Sequence, residues 1–523
     1  MNHHTARRVT LRAAAIAAAA VLVATVAACS QNGSASTTPT SITIGLASGP
    51  LSLDPAKAQN SSDGQAYTDL AYAPLITLTS DGKLAPSLAT SWKYTDSSLT
   101  TFQLTLRSGV KFSDGKPLTA ALVVKSIERA KTSAGVAAPY AAEIKSEDVT
   151  DAHTVTLHLV QSNPTIAQVL TQRYLVGSIV GSDGQADPTS LGTTTDGAGP
   201  YMIDASATVA NDHYTYVPNP NYWDKKSVHF KKFTVRVIPN AQTAFNALKS
   251  KQVSYIGGAF STVDQAKAAG LTVYSALSDW YGVFLLDRDG VIVPALANQK
   301  VRQALNYALD RKAITTSLFG TYGVPTSEIS DSAYNDDGFD PGYNNHYNYD
   351  PTKAKKLLAQ AGYGDGFSIT IAATATYGDG VEVAQAIASD WEKIGVKTKV
   401  QTYNNLGSLA TPLVGKQMPA LAGNLDVQPM YLESTQILDA GSGAFNIFGN
   451  TDAQLTALLT KARAETTKTG IASAWAAVER RVVDLGWFVP VSTGPTQYYS
   501  VKALKGVSLS AANFVPDPTA FHF

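Results

Sequence analysis

The sequence predicts an α/β protein of more than one domain, and three observations carry that expectation. Its 523 residues, 44% hydrophobic and 16% charged, suffice to bury more than one sizeable core. Residues 367–400 read as strand, helix, strand. Just before them, Val301, Ala304, Leu305, Ala308 and Leu309, then Ala354, Leu357, Leu358 and Ala361, repeat the spacing of one helical face.

Taken in order, the chain begins with a processing signal. Arg7, Arg8 and Arg12 precede an apolar stretch of small residues from Ala13 to Ala28, and Cys29 follows; this is the layout of a secretory signal spanning 1–28. The stretch is short and alanine-rich for a membrane span. Val26-Ala27-Ala28-Cys29 resembles the bacterial lipobox, which implies cleavage before Cys29 and lipidation of its thiol; the Arg7-Arg8 pair leaves both the Sec and the twin-arginine export routes open. Residues 29–40, rich in Ser and Thr, then read as a lipidated flexible tether.

Ser41 to Leu46 alternates Ile42, Ile44 and Leu46 as a half-buried strand, and Gly49-Pro50 turns the chain. Thr101 to Arg107 repeats the alternation, and Thr119 is placed to cap a helix running to about Ala130. Short strands and turns are expected from there to Asp196. Phe233, Val235 and Val237 give another strand, followed by a helix with Ala244, Phe245 and Leu248 inward. Gly362 should stop the helix over 354–361. Phe367–Ile371 is then a strand, Ala384, Ile387, Trp391 and Ile394 mark a helix stopped by Gly395, and Val396–Val400 is a strand parallel to the first. Ligands meet the loops that leave the carboxyl ends of such strands, which places 374–380, with Tyr377 and Asp379, where a solute would be.

Charge and motif content exclude several functions. With 41 basic against 41 acidic residues and no basic run interleaved with aromatics, nucleic acid is not an expected partner. Loss of the three signal arginines leaves 495 residues with 38 basic against 41 acidic. One cysteine permits neither an internal disulfide nor a cysteine zinc site, and the eight histidines are scattered, so no metal or cofactor is expected. Asp331, Asp336, Asp337 and Asp340 lack the ligand spacing of a calcium loop. There is no G-x-S-x-G elbow, phosphate loop or H-E-x-x-H helix. Carboxylate pairs assembled from distant positions stay open, and nothing singles one out.

Several segments together resemble family 5 of the extracytoplasmic solute-binding proteins, the oligopeptide and dipeptide class that feeds ABC importers. Leu53-Asp54-Pro55 follows the first strand. Asp81-Gly82-Lys83-Leu84-Ala85-Pro86-Ser87-Leu88-Ala89, Leu106-Arg107-Ser108-Gly109-Val110-Lys111-Phe112-Ser113-Asp114-Gly115, Gly199-Pro200-Tyr201 and Asn219-Pro220-Asn221-Tyr222-Trp223 come next, in the family's order. Val301-Arg302-Gln303-Ala304, Tyr307-Ala308-Leu309-Asp310-Arg311 and Tyr349-Asp350-Pro351 complete the set.

The resemblance implies a two-lobed, periplasmic-binding-protein-like α/β fold of the Venus-flytrap kind. It divides the chain into lobe one at 41–283, with an extra subdomain at about 82–195, lobe two at 284–489, and a C-terminal return to lobe one at 490–523. It further implies a non-enzymatic, monomeric, membrane-anchored receptor outside the cytoplasm that closes on a peptide-like solute and hands it to a permease and ATPase. The shared motifs read as scaffold, with Arg302 on a packed or paired surface. Candidate ligand contacts are therefore Leu51 and Ser52, Trp280 and Tyr281 near the crossing, and Tyr377, Asp379, Asp426, Tyr431 and Glu433 in lobe two.

The sequence departs from the better-known peptide binders at two places. Ala375 stands where dipeptide-type relatives carry an arginine for the peptide carboxylate, and Met430 where an aspartate for the amine is expected. A buried charged terminus without a partner is costly, so these residues argue against the usual clamp on a short zwitterionic peptide. Asp426 or Glu433 could substitute through a shifted loop; a longer or blocked peptide, a sugar or a metal chelate would equally suit. A cell-surface hydrolase, or a sensor or chaperone that retains the fold without transport, stays open as an alternative.

Overall fold

The computed structural model describes residues 39–58, 62–133, 135–330, 338–374, 380–404, 406–440 and 445–523. Cys29, Asp331, Asp336, Asp337, Ala375, Tyr377 and Asp379 lie outside the described residues.

The expected alternation at the start of the fold forms the strand Ser41–Leu46, which pairs in parallel with Lys232–Val237 and Tyr255–Gly257. His213–Pro218 and Tyr201–Ile203 extend that side of an eleven-stranded sheet. The helix Ala241–Lys249 buries Ala244, Phe245 and Leu248 as its pattern requires. On the other side, Ser368–Thr374 and Lys397–Tyr403 pair in parallel through the helix Gly380–Glu392, and Ala420–Asp426 joins Ser368–Thr374, also in parallel. Gly362 and Gly395 take the positive φ of +86° and +89° that ends the two preceding helices.

Two long strands carry the sheet from one side to the other. Thr272–Leu285 pairs antiparallel with Phe488–Ser500 from Thr272 opposite Ser500 to Phe284 opposite Phe488, with register shifts between Leu277 and Asp279 and between Tyr281 and Gly282. A separate four-stranded sheet of Ala89–Tyr94, Thr101–Leu106, Thr154–Leu159 and Ile144–Asp151 packs under the helix Ala120–Lys131, whose N-cap Thr119 accepts the Leu122 N–H at 3.3 Å. The helices Ala453–Ala464 and Lys468–Leu485, which the sequence reading did not reach, bury Leu455, Leu459, Trp475 and Val478 in one core with Trp280 and Phe284.

Family motifs prove to be joints. Asp54, 1% exposed, holds the Arg129 guanidinium through two hydrogen bonds of 2.7 and 2.6 Å, tying the turn after the first strand to the four-stranded sheet's helix. Asp350 caps the helix Pro351–Gln360 by accepting the Lys353 N–H at 2.8 Å. Arg302 is not on a surface, as expected, but buried: it donates to the carbonyls of Leu485, Leu296 and Ala297. The apolar run from Val301 is also split, because Asp310 caps a second helix, Arg311–Phe319.

Candidate functional site

Where Thr272–Leu285 meets Ala420–Asp426, Asp279 stands directly opposite Asp426 and Tyr281 opposite Asn424. Side chains two apart on a strand share a face, so these four residues crowd one side of the sheet. Asp279 is held from three directions: Asn424 Nδ2 donates to Oδ1 at 2.7 Å, while the Ser278 and Thr496 hydroxyls donate to Oδ2 at 2.5 and 3.0 Å. Burial, and then the Asp279 carboxylate beside it, raise the Asp426 carboxyl, with Arg173 acting in the opposite sense.

Helix Met430–Ile437 follows within four residues and brings Glu433, whose carboxyl is pushed up to about 8 by burial, with Asp426 and Glu479 adding to the shift. Asn424 Oδ1 and Glu433 Oε2 are buried without a hydrogen-bond partner. Buried polar atoms are almost always paired, so these two oxygens make the crossing a candidate for ligand contact.

The facing wall comes from the chain around the four-stranded sheet. Arg173 Nη2 donates to the Val427 carbonyl at 2.9 Å, and its guanidinium lies 4.3 Å from the Phe514 ring centroid. The Tyr140 hydroxyl meets Gln436, and Gln161 Nε2 donates to the Tyr431 hydroxyl at 3.2 Å. That hydroxyl donates in turn to the Ser162 carbonyl at 2.9 Å. Residues more than 250 positions apart thus clasp one another across the site.

Of the expected contacts, the structure brings Asp426, Tyr431 and Glu433 to this clasp. Trp280 is 3% exposed, its Nε1 donates to the Glu328 carbonyl at 3.0 Å, and its ring packs edge-on against Phe284 and Phe488. Tyr281 is buried with its ring 4.8 Å from that of Phe319. Leu51 is 78% exposed, and Ser52 Oγ accepts the Asp54 N–H at 3.1 Å. Sequence reasoning missed Asp279, Asn424, Arg173, Tyr140 and Gln161. Asp279 and Asn424 carried a signal, being polar residues in apolar strands; Arg173 and Gln161 lie among loops, and Tyr140 in the short helix Ala138–Ala141. Among the described residues no group of three or more His, Cys, Asp or Glu could hold a metal ion, and no helix is long and apolar enough to cross a membrane.

Residues 83–450 match the bacterial extracellular solute-binding proteins, family 5 Middle. The chain belongs to this family. Heme-binding protein A of Haemophilus influenzae is 28% identical over 397 residues, 68% of this chain and 69% of that one. The glutathione-binding protein GsiB of Salmonella typhimurium is 28% identical over 381 residues, 72% of each. The solved structure of AgaA from A. tumefaciens R10, in complex with agropinic acid, superposes with a TM-score of 0.80 at 23% identity, covering 92% of this chain and 98% of that one. The family 5 chain thus has the two-lobed α/β fold of periplasmic binding proteins, and it is an extracytoplasmic solute-binding protein of the kind that serves ABC importers.

Proposed function

We propose that this family 5 protein captures a small peptide-like solute between its lobes and delivers it to an ABC permease, tethered meanwhile to the membrane through a lipid on Cys29. One observation supports the solute class: Asp426, at the carboxyl end of a strand that runs parallel to Ser368–Thr374, faces Asp279 beside the unpartnered Asn424 oxygen. An ammonium group donates several hydrogen bonds and carries the charge that would favour the Asp426 carboxylate. Capture is closure: contacts made by the solute to both walls stabilise the clasped form.

The binding reading also fits the carboxyl pair best suited to catalysis. Glu328 and Glu479 are both fully buried, and burial raises both carboxyls. Yet Glu479 accepts the Ile329 and Ser330 N–H groups and Glu328 accepts that of Asp340, so both carboxyls organise the backbone. As a monomer the chain needs no partner copy to complete its two walls.

Native mass spectrometry of the purified protein, with identification of the released species, tests the reading. A short peptide or amino-acid conjugate with a free amine is expected, and Asp426→Asn should reduce its retention at least about tenfold. Recovery of a neutral sugar would overturn it.

A further inference from the structure

Glu433 lies in the first turn of the helix Met430–Ile437 and is 4% exposed. Residues three apart share a helix face, so Glu433 stands with Gln436, whose side chain meets Tyr140 of the opposite wall. Glu433 thus lies at the margin between the clasp, where it acts on the Tyr140 hydroxyl, and the core helix that carries Glu479. Gln428 gives the carboxyl a side-chain hydrogen bond, while Oε2 has no partner.

The charged and titratable groups that act on this carboxyl are Asp426, Glu479 and Arg173, and it acts in turn on the Tyr140 hydroxyl. Two of those three are acids. Arg173 is engaged by the Val427 carbonyl and the Phe514 ring. A buried acceptor left without a donor costs about 1–3 kcal/mol, more when charged. An anion or an apolar group offered by the solute would leave that cost in place; any group bearing N–H donors removes it, and among these a cation also offsets the field of Asp426 and Glu479 and favours the carboxylate.

We propose that Glu433 reads a second cationic group of the solute, separate from the amine facing Asp426 and Asp279, so that the preferred solutes are peptide-like molecules with a lysine-, ornithine- or arginine-type side chain. This rests on the peptide-like reading of the same site. A consequence follows for protons. With its carboxyl pushed up to about 8, Glu433 meets the solute largely as a neutral acid at pH 7; the incoming cation favours the carboxylate, and the proton passes to the buffer.

The test is a competition, read by native mass spectrometry, among di- and tripeptides with lysine or norleucine at each position, offered to the purified wild-type protein and to Glu433→Gln. Lysine peptides should be retained at least about tenfold over their norleucine counterparts by the wild type, and within about twofold by the variant, whose folding is checked by circular dichroism. Calorimetry of a lysine peptide at pH 7 in phosphate and in Tris should show close to one proton released by the wild type and none by the variant. Norleucine peptides bound with no lysine preference, or a preference that survives in Glu433→Gln, would overturn this proposal and leave the peptide-like reading standing. Binding of neither class overturns both.

Discussion

Replacing Arg173 by methionine tests whether the clasp governs affinity. The side chain is buried, stacks on Phe514 of its own wall, and donates across the site to the Val427 carbonyl at 2.9 Å. The stacking persists when the walls separate and cancels between the two forms; the hydrogen bond does not. A bond from a charged donor contributes about 1.5–3 kcal/mol. Asp426 and Glu433 lose a favourable cation, but their raised carboxyls accept protons and strand no charge. The clasped form therefore loses about 2 kcal/mol, which lowers the ratio of closed to open forms roughly thirtyfold and the apparent affinity by up to that factor. Calorimetric titration with the solute released from the wild type measures this, and small-angle scattering should show the unliganded variant expanded. An affinity within about twofold of wild type, in a variant whose thermal unfolding is unchanged, would refute the reasoning.

Removing the Tyr431 hydroxyl with Phe deletes the bond to the Ser162 carbonyl at 2.9 Å and should weaken solute binding by about 1 kcal/mol in the same titration without loss of secondary structure by circular dichroism. Arg129→Met leaves the 1%-exposed Asp54 carboxylate without its cation and should cost about 3 kcal/mol in urea unfolding. Cys29→Ala should move the protein from the membrane pellet to the soluble extracytoplasmic fraction in cell fractionation. The carboxyls of Asp426, Glu433, Glu328 and Glu479 are all raised in the folded state, which therefore binds more protons than the unfolded chain between their ordinary range and about pH 8. Their stabilising contribution is present in full at low pH and is lost as pH rises, at up to about 1.4 kcal/mol per pH unit for each proton. Urea midpoints at pH 5 to 8 should fall, and Glu433→Gln should flatten the trend.

The fold was legible wherever local chemistry and tertiary packing agree. The stripe at Ala384, Ile387 and Trp391 is a helix because that face covers the sheet, and Gly395 stops it because the chain needs φ of +89° there. The helix Lys468–Leu485 was equally open to reading, with Thr467 as cap, Trp475, Val478 and Val482 inward and Gly486 at its end, although Glu479 interrupts the apolar face. The break after Tyr307 was not, since an apolar stripe runs on through Leu309 while the backbone turns to let Asp310 cap the next helix. Trp280 shows the limit for the site. An aromatic beside a crossing suits a ligand and a core alike, and strand parity decides: Trp280 faces Phe284 and Phe488, whereas its neighbour Asp279 faces Asp426.

The residues that identify the family and those that would select the solute are different sets, held to different physical standards. Asp54 holds the Arg129 side chain, whereas Arg302, Asp310, Arg311 and Asp350 act chiefly on backbone: Arg311 alone donates to the carbonyls of Thr326, Pro490, Asn306 and Tyr347. A joint of that kind tolerates no substitution that leaves a buried carbonyl unpaired, and each sits at a short fixed distance from the element it caps. Motif spacing therefore carries it. In the candidate site the Asp279 carboxylate is fully held by Asn424, Ser278 and Thr496, whereas one oxygen each of Asn424 and Glu433 has no partner inside the protein, so no intramolecular bond fixes the spacing of those two. A solute that completed them, as proposed above, would leave no trace in motif spacing, which is why the chain announces its family from end to end and not its solute.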